Sequence, residues 1–241
     1  MVKNMALALT FALLCASSAR AGGAGDVEKW IVEAEAVLSR TESYTGIFHK
    51  QERIGGKLRK KETIFFKFKR PFKIYMKWIE RPYRGRELIY VEGRNKNRIK
   101  AREGGLLGLF TVNLDPMGSK VMRENRHPIT ESGLENLVKL IAEQVRRGVA
   151  SGELTSRDRG EDEVFGRRTR KLEGIFPDDE RKGYYCYRTV LDMDMEAKVP
   201  IRVLVYDWED RLIENYGFED LRLNAGLTEE DFNPDNPEYG F

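Results

Sequence analysis

The stretch RPFKIYMKWIERP, residues 70–82, decides the fold because its side chains alternate in character. Lysines and a tyrosine separate the large apolar residues, which take every second position: Phe72, Ile74, Met76 and Trp78. An alternation with period two predicts a β-strand with one dry face and one wet face. The Arg-Pro pairs at both ends predict turns that bound this strand.

The preceding segment extends the same pattern. Its large apolar residues, which also occupy alternate positions, are Ile64, Phe66 and Phe68. An odd-length loop through residues 69–71 places both apolar sets on the same side of the sheet. The other side then carries lysines, at positions 67, 69, 73 and 77. We therefore expect an antiparallel sheet that is covered on one side only.

Two segments have the apolar spacing of amphipathic helices. The first follows Asp26, a residue type that is common at helix N-termini. The second ends in basic residues before Gly148, which fits a helix C-terminus. Its apolar stripe consists of Leu134, Leu137, Val138, Ile141 and Val145.

Period-two segments lie on both sides of the second helix. Residues 44–102 predict a meander of about five strands joined by hairpin turns. More strands are predicted between residues 154 and 223. The order of helix, strands, helix and strands predicts an α+β fold, and we expect residues 22–241 to form a single domain.

The N-terminus has the layout of a secretory signal peptide. Lys3 precedes the apolar run MALALTFALLC, and Ala-Arg-Ala at positions 19–21 precedes a glycine-rich stretch. We expect residues 1–21 to be cleaved after export across the inner membrane, which predicts a periplasmic protein that begins at Gly22. A lipid anchor on Cys15 is disfavoured because Leu14 stands where a lipoprotein signal has a small residue.

Composition and motifs argue against several functions. The formal net charge is +3 and becomes +1 without Lys3 and Arg20, so bulk attraction to nucleic acid is not indicated. The chain has two histidines, which does not support a histidine-rich metal site. Phosphate-binding and dinucleotide-binding glycine motifs are missing. Cys186 is weighed as a nucleophile with His49 or His127, but a lone cysteine in an aromatic strand is more often a small packed apolar residue. We expect no enzymatic activity, no cofactor and no metal.

Apolar stripes of this size have two interpretations. The sheet and the helices form either a filled core or a cavity for an apolar ligand, and periodicity does not separate the two. The segment GGLLGLF between the predicted strands and the second helix has the composition of a mobile loop or a short strand. If a cavity exists, this loop is a candidate gate through Leu106, Leu107, Leu109 and Phe110.

The run FFKFKRPFKIYMKWIERPYRGRELIYVEG resembles the central motif of the LolA/LolB-like periplasmic lipoprotein carriers. The run VLVYDWEDRLIENYGFEDLRLNAGLTEEDFNP resembles their closing hairpin, although Glu209-Asp210 replaces the more usual Asp-Gly turn. The stretch NRHPITESGLENLVKLI is most similar to the bacterial domain-of-unknown-function family 1571. Together these stretches cover about a third of residues 22–241 and are spread from residue 65 to residue 234.

The resemblance implies a strongly curved antiparallel sheet, an unclosed half barrel, with helices packed on its concave side. It further implies a non-catalytic binding or carrier protein, expected as a monomer, for a lipid or a lipoprotein acyl chain. The expected cavity lining is Ile64, Phe66, Phe68, Phe72, Ile74, Met76, Trp78, Leu134, Leu137, Val138 and Ile141. The same superfamily includes envelope sensors, so a module with a filled core that binds another envelope protein is the alternative.

Overall fold

A computed structural model of the chain describes residues 24–105 and 110–241. Within these ranges the helices are α1 (Ala24–Leu38), α2 (Ser119–Met122) and α3 (Leu134–Ala150). The strands are β1 (Ser43–Ile54), β2 (Lys57–Leu58), β3 (Glu62–Lys69), β4 (Lys73–Trp78), β5 (Glu87–Val91), β6 (Ile99–Arg102), β7 (Thr111–Leu114), β8 (Thr155–Val164), β9 (Arg167–Ile175), β10 (Arg188–Asp194), β11 (Pro200–Tyr206) and β12 (Leu212–Leu223).

The strands form one antiparallel sheet. Its order is β7-β6-β5-β4-β3-β1-β12-β11-β10-β9-β8, and the short β2 pairs with β1 outside this path. The two meanders meet in the centre, where β1 pairs with β12. The terminal strands β7 and β8 do not pair with each other, so the sheet stays open. The predicted unclosed half barrel is therefore confirmed.

The prediction that the apolar residues of the two central strands share one face is also confirmed. Phe66 of β3 lies opposite Met76 of β4, and the pairs Ile64 with Trp78 and Phe68 with Ile74 flank it. These six side chains share one face and are buried. Helices α1 and α3 pack against that face and complete the main core.

The start of α3 is fixed by a close approach to the sheet. The Tyr44 hydroxyl accepts a hydrogen bond from the Leu134 backbone N–H at 2.8 Å. Gly133 precedes it with φ 103°, and a Cβ atom there would lie 2.8 Å from the same hydroxyl oxygen. Glycine suits this position because a side chain would be both strained and obstructed.

The convex face is drier than the alternation of β4 predicts. Tyr75, which stands between the apolar positions, is 1% exposed. The C-terminal segment crosses the sheet here, and the Tyr239 ring stacks on Tyr75 with centroids 4.2 Å apart. Phe232 fills a second small core with Tyr75, Ile89 and Val91. The expectation of a sheet covered on one side only is thus wrong over β4 and β5, because turn-forming residues near the C-terminus hid a docking segment.

The lysines of this face hold the same segment. Lys67 pairs with Asp231 at 2.7 Å, and Lys73 pairs with Glu229. Burial disfavours the charge of Asp231, but the hydrogen bond and charge of Lys67 and the hydrogen bonds from Thr228 together outweigh burial and lower the pKa of the carboxyl. The basic face therefore serves packing in part, rather than solubility alone.

Candidate functional site

An apolar cavity of about 30 Å³ lies between α3 and strands β9–β12. Its wall on the helix includes Leu137, Ile141 and Val145, and its wall on the sheet includes Leu172, Val203 and Val205. The amphipathic stripe of α3 turns these residues inward, while alternate positions of each strand face them.

The size of the cavity decides what it can hold as it stands. A cavity needs roughly 10–15 Å³ to hold one water molecule, whereas ligand pockets commonly span about 300–1,000 Å³. In this state the cavity thus has space for one or two small groups and none for a long acyl chain. Any longer ligand requires α3 to move away from the sheet.

The predicted lining residues fall into two groups. Leu137 and Ile141 line the cavity. The others are packed in the main core and do not border it: Ile64, Phe66, Phe68, Phe72, Ile74, Met76, Trp78, Leu134 and Val138. The structure thus brings the predicted strand residues together, but on the half of the sheet away from the cavity.

The predicted gate is described only at its end. Leu106, Leu107 and Leu109 lie outside the described residues. Phe110 precedes β7 at the edge of the sheet and is 77% exposed. A gating role for this segment stays a prediction.

A buried polar cluster lies next to the cavity. Glu214 of β12 contributes to the cavity wall and is 1% exposed. Glu52 of β1, which is 3% exposed, stands directly opposite it in the strand pairing. Two neighbouring carboxylates at this depth need cations and hydrogen-bond donors around them.

The segment before α3 supplies the main partners. The Arg126 Nε donates to Glu214 Oε1 at 2.7 Å, and the Arg126 backbone N–H donates to Glu52 at 3.1 Å. His127 Nε2 lies 3.1 Å from Glu214 Oε1, and the Tyr185 hydroxyl also donates to that oxygen. The cluster therefore ties the entry to α3 to the centre of the sheet.

The cluster is absent from the predictions made above, although the sequence contains one signal of it. Glu214 has the same strand parity as Tyr216 and Phe218, so the alternation of β12 turns it inward. An acidic residue at an inward position of a predicted strand is unusual and indicates a buried partner. The partner is Arg126, which lies in a loop, and no local sequence pattern identifies it.

The charge balance of the cluster depends on His127. Glu52 and Glu62 lie 3.3 and 3.8 Å from Lys50 Nζ, and Glu214 adjoins Arg126. With Glu131, which contacts His127 at 3.1 Å, four carboxylates thus face two permanent cations, and a protonated His127 reduces the excess negative charge to one. Burial disfavours that charge, but the hydrogen bond and charge of Glu214, followed by the hydrogen bond of Glu131, outweigh burial and raise the pKa of His127.

We expect the free energy of unfolding to decrease as the pH rises from about 6.5, the ordinary pKa of histidine, through the raised pKa of folded His127. The sign follows because the folded state holds this proton more tightly than the unfolded state. Below about pH 6.5 both states are protonated and the contribution is complete. Urea unfolding across this range tests the slope, and His127→Gln should flatten it. An equal slope in both proteins would contradict a charged His127 in the cluster.

The surroundings of Cys186 do not activate its thiol. Burial raises the pKa of Cys186 to about 11, and its sulfur lies 3.1 Å from the Thr189 hydroxyl. His49 lies on the other face of β1 and contacts Glu219 at 2.6 Å. His127 is engaged with Glu214, Glu131 and Tyr185. Neither histidine is placed to take the Cys186 proton, so the thiol stays neutral in the cavity wall.

Two further properties concern the described residues only. Within residues 24–105 and 110–241, no group of His, Cys, Asp and Glu side chains is arranged to hold a metal ion. Among the helices of the same ranges, none combines the length and the apolar character needed to cross a bilayer.

Comparisons with known proteins relate this fold to others. The model of a family described as "Protein of unknown function (DUF1571)" matches residues 41–241. No curated protein matches the chain. MucB shares 17% identity over 88% of this chain and 63% of its own, with a TM-score of 0.52. The Mycobacterium tuberculosis lipoprotein LppX shares 11% identity over 85% of this chain and 98% of its own, with a TM-score of 0.51.

A LolA superfamily protein from Nitrosomonas europaea, NE2245, shares 10% identity over 86% of this chain and 97% of its own, with a TM-score of 0.36. The chain spans less than two thirds of the MucB structure, 63% of its length. At these identities the likeness to MucB and LppX concerns the fold alone. The family expected from the sequence is confirmed by the match over residues 41–241, and the expected unclosed antiparallel sheet is confirmed by the strand order.

Proposed function

The chain belongs to the DUF1571 family, and from its LolA-like fold and the apolar cavity beneath α3 we propose a periplasmic, non-catalytic carrier that binds the acyl chain of a lipid or a lipoprotein. The observation that supports this proposal most is the cavity itself. Its wall is mainly apolar on the helix side and on the sheet side, as a site for a hydrocarbon chain requires, with Gln144, Thr189 and Glu214 as polar members. The periplasmic location rests on residues 1–21, which lie outside the described part of the chain.

In this proposal α3 acts as a lid. Polar contacts hold its two ends: Glu135 pairs with Arg70, and Arg146 donates to Glu35 of α1 at 3.0 Å. Between these ends the helix contacts the sheet mainly through apolar side chains. A hydrocarbon chain that enters between them would replace these contacts with equally apolar ones. Lifting the helix thus exchanges one apolar contact for another.

The energy of such an exchange is favourable for a long chain. Each methylene removed from water contributes roughly 0.8 kcal/mol, so about eight methylenes supply on the order of 6 kcal/mol against the cost of moving the helix. We propose that the chain enters between Leu137 and Ile141 and the sheet. With α3 displaced, it would reach the predicted lining around Phe66 and Met76.

Cys186 provides a direct test because it lies in the cavity wall. In a Cys15→Ser protein it is the single cysteine, and a soluble disulfide reagent reports each opening of the cavity. We expect saturating hexadecanoate to slow the reaction of Cys186 at least tenfold, since the chain occupies the space beside the thiol. Native mass spectrometry should show one bound hexadecanoate.

A cysteine outside the cavity serves as the control. Ser151 is exposed after the end of α3, so Cys186→Ser combined with Ser151→Cys should react equally fast with and without hexadecanoate. An unchanged rate at Cys186, together with an unliganded mass, would overturn the carrier proposal.

The packed half of the sheet supports the second candidate function, a module that binds another envelope protein. Ile64, Phe66 and Ile74 are fully buried, as in a filled scaffold. This candidate predicts that hexadecanoate leaves the melting temperature unchanged and that crosslinking in the cell envelope recovers one specific protein. Recovery of lipid alone would exclude it.

A further inference from the structure

The two edges of the open sheet differ in chemistry. Strand β8 has six charged residues among its ten, TSRDRGEDEV, and its pairing with β9 is irregular between Asp158 and Glu161. Charges and irregularities of this kind protect an edge from further pairing. Strand β7, TVNL, contains no charged residue and pairs regularly with β6. One edge is thus protected and the other is open.

The open edge is also apolar and exposed. Val112 is 41% exposed, and its neighbours Phe110 and Met117 are 77% and 65% exposed. Asn113 points to the other face and is exposed as well, so in the described part of the chain both faces of β7 are accessible. The backbone groups on the outer side of β7 have no strand partner among the described residues.

Basic side chains without an ion pair are concentrated in the sequence on both sides of β7. Residues 94–123 contain seven lysines and arginines and two acidic residues, a net charge of +5 compared with +3 for the whole chain. Lys100 lies opposite Asn113 in the strand pairing, and the Asn95 side chain donates to Asn113 Oδ1 at 2.8 Å. Five of the basic residues make no ion pair within the described residues: Lys96, Arg98, Lys100, Lys120 and Arg123.

We propose that the β7 edge is a docking site where an extended, acidic segment of a partner protein adds as a further strand. Main-chain hydrogen bonds to β7 would supply affinity, as in other cases of strand addition. Acidic side chains of the segment would meet the five unpaired cations, and apolar ones would cover Val112 and Phe110. This inference goes beyond the proposed carrier function, because β7 and the cavity lie at opposite ends of the sheet order.

Two fluorescein-labelled peptides test the proposal, one of sequence EVTVEVTE and one with lysine in place of each glutamate. We expect the acidic peptide to bind at least tenfold more tightly than the basic one. Its binding should slow hydrogen exchange of the amides of residues 111–114 at least tenfold, since strand addition pairs them. No binding of the acidic peptide, or binding without this protection, would overturn the proposal.

Variants separate strand addition from other occupants. Val112→Lys, which protects the edge, should weaken the acidic peptide at least tenfold, whereas Val32→Lys on α1, where Val32 is 50% exposed, should not. The double variant Arg98→Glu with Lys100→Glu should also weaken binding and keeps strand β7 intact. Two other results would overturn the proposal. The first is that the protein forms a dimer and Val112→Lys abolishes it, since a second copy would then occupy the edge. The second is that the protein binds phosphatidylglycerol vesicles equally well with and without Val112→Lys, while the acidic peptide does not bind.

Discussion

Replacing Met76 with glutamate should abolish the cooperative thermal transition of this protein. Met76 is 6% exposed and lies between Phe66 and Leu88 in the strand pairing, so the new carboxylate would be buried among apolar groups. An unpaired buried charge costs several kcal/mol. A domain of ordinary stability has about 5–15 kcal/mol in total, so most of it would be lost. Circular dichroism during heating measures the loss.

The matched control uses the same face of the same sheet. Val112 lies in the row of paired positions that runs from Met76 through Leu88 and Ala101, but it is 41% exposed at the edge. Val112→Glu should change the free energy of unfolding by no more than about 0.5 kcal/mol. If Met76→Glu melts at the same temperature as the unaltered protein, the Met76 side chain is accessible to water and is not packed in a filled core.

The sequence predicts the fold better than it predicts the site, for a physical reason. Alternation in β3 and β4 records which side of a strand avoids water, and register follows from the loop between them. The prediction that Phe66 and Met76 share one face is therefore correct, and the structure pairs the two residues directly. A packed core and a cavity wall both exclude water, so both produce this alternation in the sequence. Only the position of α3 distinguishes them, and it depends on many weak contacts.

Long-range polar pairs were beyond the sequence for a related reason. Glu214 and Arg126 are 88 residues apart, and nothing near Arg126 in the sequence distinguishes it from an ordinary surface charge. Likewise, Asp231 and Lys67 give no local sign that the C-terminal segment crosses the sheet at Tyr75. Such pairs form after the backbone has brought two distant segments together. The only feature in the sequence that indicates such a pair is a charged residue at an inward position of a strand.

Removing the Arg126 cation from the cluster around Glu214 should destabilise the protein strongly. Arg126 donates to Glu214 and to the Tyr185 hydroxyl, and it also contacts the Arg53 carbonyl at 3.3 Å. Burial disfavours ionised Glu214, but the hydrogen bonds of His127, Tyr185 and Arg126 outweigh burial and keep the pKa of this carboxyl low. The carboxylate therefore stays charged and depends on its partners.

Arg126→Met should lower the free energy of unfolding by about 3–5 kcal/mol, because it leaves Glu214 and Glu52 buried with too few cations while nearly preserving volume. Adding Glu214→Gln removes the uncompensated charge, so the double variant should recover at least half of that loss. Urea unfolding of the two single variants and the double variant gives the coupling free energy between Arg126 and Glu214.

The stability loss caused by Arg126→Met should be smaller near pH 6 than near pH 8, since protonated His127 partly replaces the missing cation at low pH. A double variant whose loss equals the sum of both single losses would show that Arg126 and Glu214 are not coupled, and that α3 is held to the sheet by packing alone.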